Sequence, residues 1–231
     1  MRFSERLRRQ AEPHWSRTVR HGFTDAIADG SVPDDAFALY LVQDYVFVDA
    51  LAGLVAAAAH RAPDMDTRRP LARFLAVLTG GENDYFQRSF DALGVSAHAI
   101  NTPRLLPVTG RFRAHLERAA DSRGFAEVLA VLLPVEWCYL AWARRVSAGL
   151  RRRQKTLPRA RHLRDWIALH DNPDFAAFVG WMRREMDRRG PALPPARRQA
   201  VERRFVRTMA LESAFFDAFH APRLDARAAK V

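Results

Sequence analysis

The stretch from Phe125 to Ala143, FAEVLAVLLPVEWCYLAWA, is apolar around nearly the whole circumference it would have as a helix. A helix that is hydrophobic on every side must be covered on every side, so this segment needs a shell of other elements around it. The rest of the chain supplies helices. Ala, Leu, Arg and Glu dominate, β-branched runs are scarce, and apolar residues recur at three- and four-residue intervals instead of alternating. Turn signals fall at Gly30 to Pro33, Ala62 and Pro63, Gly94 to Pro107, Thr156 to Pro158, Asn172 and Pro173, and Gly190 to Pro195. They leave about seven helices and no linker long enough to separate a pair of domains. The expected fold is therefore all-α, one domain over residues 1–231. A membrane span competes for Phe125 to Ala143. Glu127, Pro134 and Glu136 interrupt it, however, and it barely reaches the roughly 20 residues a span needs, so no membrane association is expected.

Four acids stand where helices of this kind should carry apolar residues. Asp44 lies on the stripe of Phe37, Tyr40, Leu41, Phe47, Val48, Leu51 and Leu54. Glu82 lies among Leu71, Phe74, Leu78, Tyr85 and Phe86. Glu136 sits between Leu132, Leu133, Tyr139 and Leu140, and Glu212 among Val201, Phe205, Met209, Phe215, Phe216 and Phe219. Burying an ionised carboxylate without a partner costs several kcal/mol, so such positions are normally paired or used. Either each acid meets an arginine at the edge of the core, or the four share a polar cavity. The stripes contain almost no arginine, which favours the cavity.

Inward carboxylates on four helices also describe a di-iron or di-manganese bundle, in which Glu-x-x-His supplies histidine ligands on two of the helices. Here the residues three places after the acids are Phe47, Tyr85, Tyr139 and Phe215, so no metal is expected. Aromatics at those offsets suit a flat heterocycle instead, held by stacking while acids reach its ring nitrogens and amino group. Most of the 15 phenylalanines are assigned to packing; those one turn from an acid, with Tyr85 and Tyr139, are the candidates for lining a pocket. No Gly-x-Ser-x-Gly, P-loop, Rossmann or His-Glu-x-x-His pattern is present.

Charge and cysteine content limit the partners. Of 37 basic residues only Lys155 and Lys230 are lysines, and the net charge is +11. The arginines are scattered apart from the block at 151–153, with no interleaved aromatics, so nucleic acid is not an expected partner and base composition of the genome accounts for the bias. The single cysteine, Cys138, excludes an internal disulfide; inert packing is its expected role, and a reducing, cytoplasmic setting fits it.

The segments RHGFTDAIADGSVPDDAFALYLVQDY, FAEVLAVLLPVEWCYLAWA and LESAFFDAF together resemble the TenA, or thiaminase II, proteins of thiamine salvage. The resemblance spans Phe3 to about His220. It implies a haem-oxygenase-like all-α fold and a hydrolase that removes the amino group of an aminomethylpyrimidine to give hydroxymethylpyrimidine. By that resemblance Asp44 holds the ring nitrogen and exocyclic amine, Glu212 is the proton-transferring acid, and Tyr139 stacks on or orients the ring. Phe47, Phe112 and His170 stand where the family commonly has tyrosines. The nucleophilic cysteine that the better known branch carries after Leu-Pro is Val135 here, followed by Glu136. This is similar to a second branch that lacks the cysteine, carries a glutamate, and is associated with amino- and formylamino-pyrimidines.

The expected activity is hydrolysis of a small pyrimidine without metal or organic cofactor, in a homo-oligomer, dimer or tetramer. Glu136, Glu212 and Asp44 are the expected catalytic residues. Asp44, Phe47, Glu82, Tyr85, Phe86, Phe112, Tyr139, His170 and Phe216 are expected to bind the substrate. Two other classes stay open at this point: a haem-oxygenase-like oxidase or haem-binding protein with His14 or His21 as ligand, and a non-catalytic pyrimidine-binding accessory protein.

Overall fold

The computed structural model of the protein describes residues 1–220, so the end of the expected 1–231 domain, residues 221–231, lies outside the described residues. The described chain is helical throughout, without a strand. In order the helices are α1 (Phe3–Gln10), α2 (His14–Val19), α3 (Gly22–Asp29), α4 (Asp34–Arg61), α5 (Met65–Val77), α6 (Asn83–Leu93), α7 (Ala97–Asn101), α8 (Pro107–Ala120), α9 (Phe125–Arg152), α10 (Arg161–His170), α11 (Pro173–Arg189) and α12 (Pro195–His220). Between α5 and α6 the chain runs through a π-helical turn, Leu78–Glu82, without leaving the helix axis. Counting α5, this turn and α6 as one rod gives seven long rods, in line with the expected number of about seven, although the break between α8 and α9 is not among the turn signals; α1, α2, α3 and α7 are additional short segments.

The boundaries follow local chemistry. Asp64 and Asn172 cap α5 and α11 by accepting from the backbone N–H of Thr67 and Phe175. Gly30 ends α3 at φ 76°, a left-handed conformation that glycine adopts without steric cost. Pro107 and Pro173 start their helices, where the missing N–H is no loss.

Helix α9 is the axis of the molecule. Residues 128–133 are completely buried, and α2, α3, α4, α8, α10, α11 and α12 all pack on it. The covering shell that an all-round apolar helix requires is thus made by seven neighbours. By length and composition α4 and α9 are both apolar enough to cross a membrane, but 94% of the apolar window of α9 is already buried against protein. Its hydrophobicity is spent on the core. The acid-bearing elements are α4, the π-turn, α9 and α12, and α9 packs directly against α4 and α12.

Candidate active site

Asp44 comes from α4, Glu82 from the last residue of the π-turn, Glu136 from the middle of α9 and Glu212 from α12. All four are buried, with exposures of 1%, 8%, 4% and 1%. Among the described residues none of them is within ion-pair distance of an arginine, lysine or histidine. The contrast lies on the same central helix: Glu127, the other acid of α9, is gripped by Arg197 through Nε and Nη2 at 2.6 and 2.9 Å. Pairing at the rim therefore explains Glu127 and leaves the other four unanswered. One oxygen each of Glu136 and Glu212, Oε1, is buried and has no hydrogen-bond partner among the described residues. Buried acceptors without donors are costly enough that they mark sites made for something else to bind.

The acids sense one another. Burial drives the carboxyl of Asp44 well above its ordinary range, and the charge of Glu82 pushes it further. Glu136 is raised well above the usual carboxylate range by burial and then by Glu82, Glu212 and Asp44, and Glu212 by burial and Asp44. Burial lifts Glu82 to about 7. Carboxylates gathered in one low-dielectric space cannot all ionise, so the cluster holds protons at neutral pH and favours a cation among them.

Aromatic side chains close the space. Tyr139, one turn after Glu136, points its hydroxyl at Asp44 Oδ1, 3.5 Å away, and shares a hydrogen bond of 3.1 Å with the Tyr40 hydroxyl. The rings of His170 and Phe216 lie 4.8 and 5.8 Å from that of Tyr139. His170 Nδ1 donates to the Trp166 carbonyl at 2.9 Å, which leaves Nε2 as a bare acceptor, and burial lowers its pKa to about 4, so the ring is neutral. Phe47 and Phe112 pack together at 4.7 Å and both meet Phe215. Tyr85 stacks on Trp166 at 5.1 Å and donates to the His162 carbonyl, so its hydroxyl is already committed.

The sequence-predicted residues thus fall into three groups. Asp44, Glu82, Glu136, Glu212, Tyr139, His170 and Phe216 converge; Phe47 and Phe112 form one wall with Phe215. Tyr85 and Phe86 pack on each other and on Trp166, with Tyr45 and Phe90 behind Phe86. Two residues were missed. Tyr40 lies four places before Asp44, so the one-turn criterion that picked Phe47 would have found it had it been run in the N-terminal direction as well; Trp166 lies four before His170, which is not an acid, and that criterion gives no signal for it.

Cys138 is completely buried, and its Sγ donates to the Val135 carbonyl at 3.1 Å. Burial, then the charges of Glu212 and Glu136, push its pKa well up, which favours the protonated thiol. His21 does not suit a haem: Nδ1 accepts from the Phe23 N–H, and Nε2 is hydrogen-bonded to Asp217 Oδ1 at 3.1 Å. Neither nitrogen has a lone pair to spare for iron.

A sequence profile described as the TENA/THI-4/PQQC family matches residues 8–220. The chain belongs to this family. A relative named aminopyrimidine aminohydrolase, from Halalkalibacterium halodurans, is 24% identical over 97% of this chain and 98% of its own. A TenA homologue from Pyrococcus furiosus has a solved structure that superposes with a TM-score of 0.82 at 21% identity, covering 94% of this chain and all of that one. Heme oxygenase 2 from Chlamydomonas reinhardtii superposes with a TM-score of 0.65 at 16% identity, covering 98% and 100%. The TENA/THI-4/PQQC fold of this chain is therefore haem-oxygenase-like and all-α, as the three segments imply.

Proposed function

We propose that this protein is an aminopyrimidine aminohydrolase that converts an aminomethylpyrimidine and water into hydroxymethylpyrimidine and ammonia, and that the same site accepts the formylamino analogue. The observation that carries this reading is the convergence of unpaired carboxylates on Tyr139, with free oxygens on Glu136 and Glu212. The relative that bears the name aminopyrimidine aminohydrolase over nearly its full length supports it.

The acids divide the work by position. Asp44, beside the Tyr139 hydroxyl, accepts from the exocyclic amine and meets the ring nitrogen. Phe216 and His170, which flank Tyr139, hold the ring between flat surfaces. A protonated aminomethyl group supplies the cation that four clustered carboxyls lack, and its arrival lets one of them ionise. Ionised Glu136 takes a proton from water as the oxygen bonds to the methylene carbon. Glu212, kept protonated by burial until the amine binds, is the source of the proton on the aminomethyl nitrogen, so the carbon–nitrogen bond breaks with neutral ammonia as the leaving group. Val135, where the cysteine-bearing branch has its nucleophile, is a buried apolar side chain. The glutamate-bearing branch is accordingly the one assigned, acting through water and not through a covalent intermediate.

Residues 1–231 as one domain, a dimeric or tetrameric assembly and a cytoplasmic setting complete the proposal. The test is direct. The purified protein, given aminomethylpyrimidine, formylaminomethylpyrimidine or thiamine, should release ammonia from the first or formate from the second faster than it cleaves the third. Neither turnover nor a ligand-induced rise in melting temperature with either pyrimidine would defeat the reading.

A further inference from the structure

Asp44, Glu136 and Glu212 are shut away from solvent, so a ligand reaches them only if some of the shell moves. A surface cleft of about 730 Å³ is lined among others by Tyr45, Val48, Leu78, Asn83 and Leu105. Two of its lining residues stand one helical turn from acids of the cluster, Asp44 and Glu82. Val48 follows Asp44 by four places on α4, Leu78 precedes Glu82 by four, and both are buried.

The two lips of this cleft are held differently. Gln43, fully buried, fastens the segment before α8 with both ends of its amide, donating to the Arg104 carbonyl at 3.1 Å and accepting from the Leu106 N–H at 2.9 Å. Opposite, Asn83, the residue that directly follows the π-turn, is tied to α4 by the half-buried hydroxyl of Tyr45, which donates to its Oδ1 at 2.8 Å. A π-turn is a rare insertion in an α-helix, and this one contains Gly80 and Gly81. Nothing lies within 4 Å of where a Cβ would stand at either glycine, so packing does not demand them. What they confer is freedom of the backbone.

We propose that this cleft is the route by which substrate reaches the acids, that the Leu78–Glu82 turn is its moving lip, and that the Tyr45–Asn83 hydrogen bond is the latch that sets how fast molecules are admitted. The identity of the ligand rests on the aminohydrolase reading; the latch is a property of the fold and is tested without it.

Hydrogen exchange of the free protein gives the first arm. Amides of residues 78–84 should exchange faster than those in the middle of α9. Tyr45→Phe keeps the ring against Phe86 and Phe90 and removes only the hydroxyl. It should speed exchange at 78–84 by about 2- to 10-fold, the weight of one hydrogen bond, and leave α9 unchanged. Gly80→Ala with Gly81→Ala, which the open space admits, should slow it. The second arm is stopped-flow binding of aminomethylpyrimidine. Association should be faster in Tyr45→Phe and slower in the double alanine variant, with Kd and kcat little changed, so that kcat/KM alone follows the latch. Exchange at 78–84 as slow as in α9 and indifferent to both substitutions, or association rates equal in all three proteins, would overturn the proposal. If the wild type binds no aminomethylpyrimidine, the functional reading falls, while the exchange arm still decides the latch.

Discussion

Replacing Glu82 by glutamine should make the protein more stable at pH 8 while barely changing it at pH 5. Glu82 is buried at the end of the π-turn with a carboxyl raised from 4.5 to about 7 by desolvation. Between those values the folded state holds a proton that the unfolded chain has released, so stability falls as pH climbs through the window, and the whole penalty is present above 7. A displacement from 4.5 to about 7 corresponds to about 3 kcal/mol at pH 8 and under about 1 kcal/mol at pH 5. Glutamine has nearly the same shape and never ionises, so it escapes the penalty. For a chain of this size the differential effect corresponds to a rise of about 5–10 °C in Tm at pH 8. His115 and His170, both lowered to about 4 by burial, act the other way. They make stability rise with pH between about 4 and 6.5, equally in both proteins, and so cancel in the difference. Chemical denaturation of wild type and Glu82→Gln at pH 5, 6, 7 and 8 measures that difference directly. A variant no more stable than wild type at pH 8, or a gap that is the same at all four pH values, would show that Glu82 is solvated or paired in solution and would refute the reasoning.

Glu136→Gln and Glu212→Gln should each lower kcat by about 10²- to 10⁴-fold with little change in the Kd for an aminomethylpyrimidine; steady-state kinetics alongside calorimetry separates the two quantities. Asp44→Asn should act mainly on binding, weakening it by about 1.5–3 kcal/mol, the worth of a hydrogen bond to a charged group, as read by titration calorimetry. Cys138→Ser preserves a donor to the Val135 carbonyl and should keep most of the activity, with iodoacetamide a weak inhibitor of the wild type; loss of turnover with folding intact would give the thiol a chemical role. Activity should also survive exhaustive chelation, measured as ammonia release before and after dialysis against a chelator.

The sequence by itself determined the class of fold and the chemical oddity at its centre. A helix apolar all round has one solution in water, and Phe125 to Ala143 therefore announces a covered axis before any neighbour is known. Asp44, Glu82, Glu136 and Glu212 were legible for the same reason: periodicity is a local property, and an acid on an apolar stripe violates it visibly. Tertiary structure alone decided which acids are answered. Glu127 and Glu136 look alike on α9, yet the first is neutralised by Arg197, 70 residues away, and the second keeps a buried oxygen without a hydrogen-bond partner among the described residues. The same holds for Tyr40 and Tyr139, which join across 99 residues, and for Trp166, whose ring contacts Tyr85 of α6 and Tyr139 of α9. The π-turn was also invisible, because Leu-Thr-Gly-Gly-Glu continues the helical pattern and only the packing of α5 and α6 on their neighbours fixes the extra residue there. Spacing along one chain specifies which face a residue takes. What stands opposite that face depends on contacts between distant segments, and burial converts those contacts into the raised acidities on which the site depends.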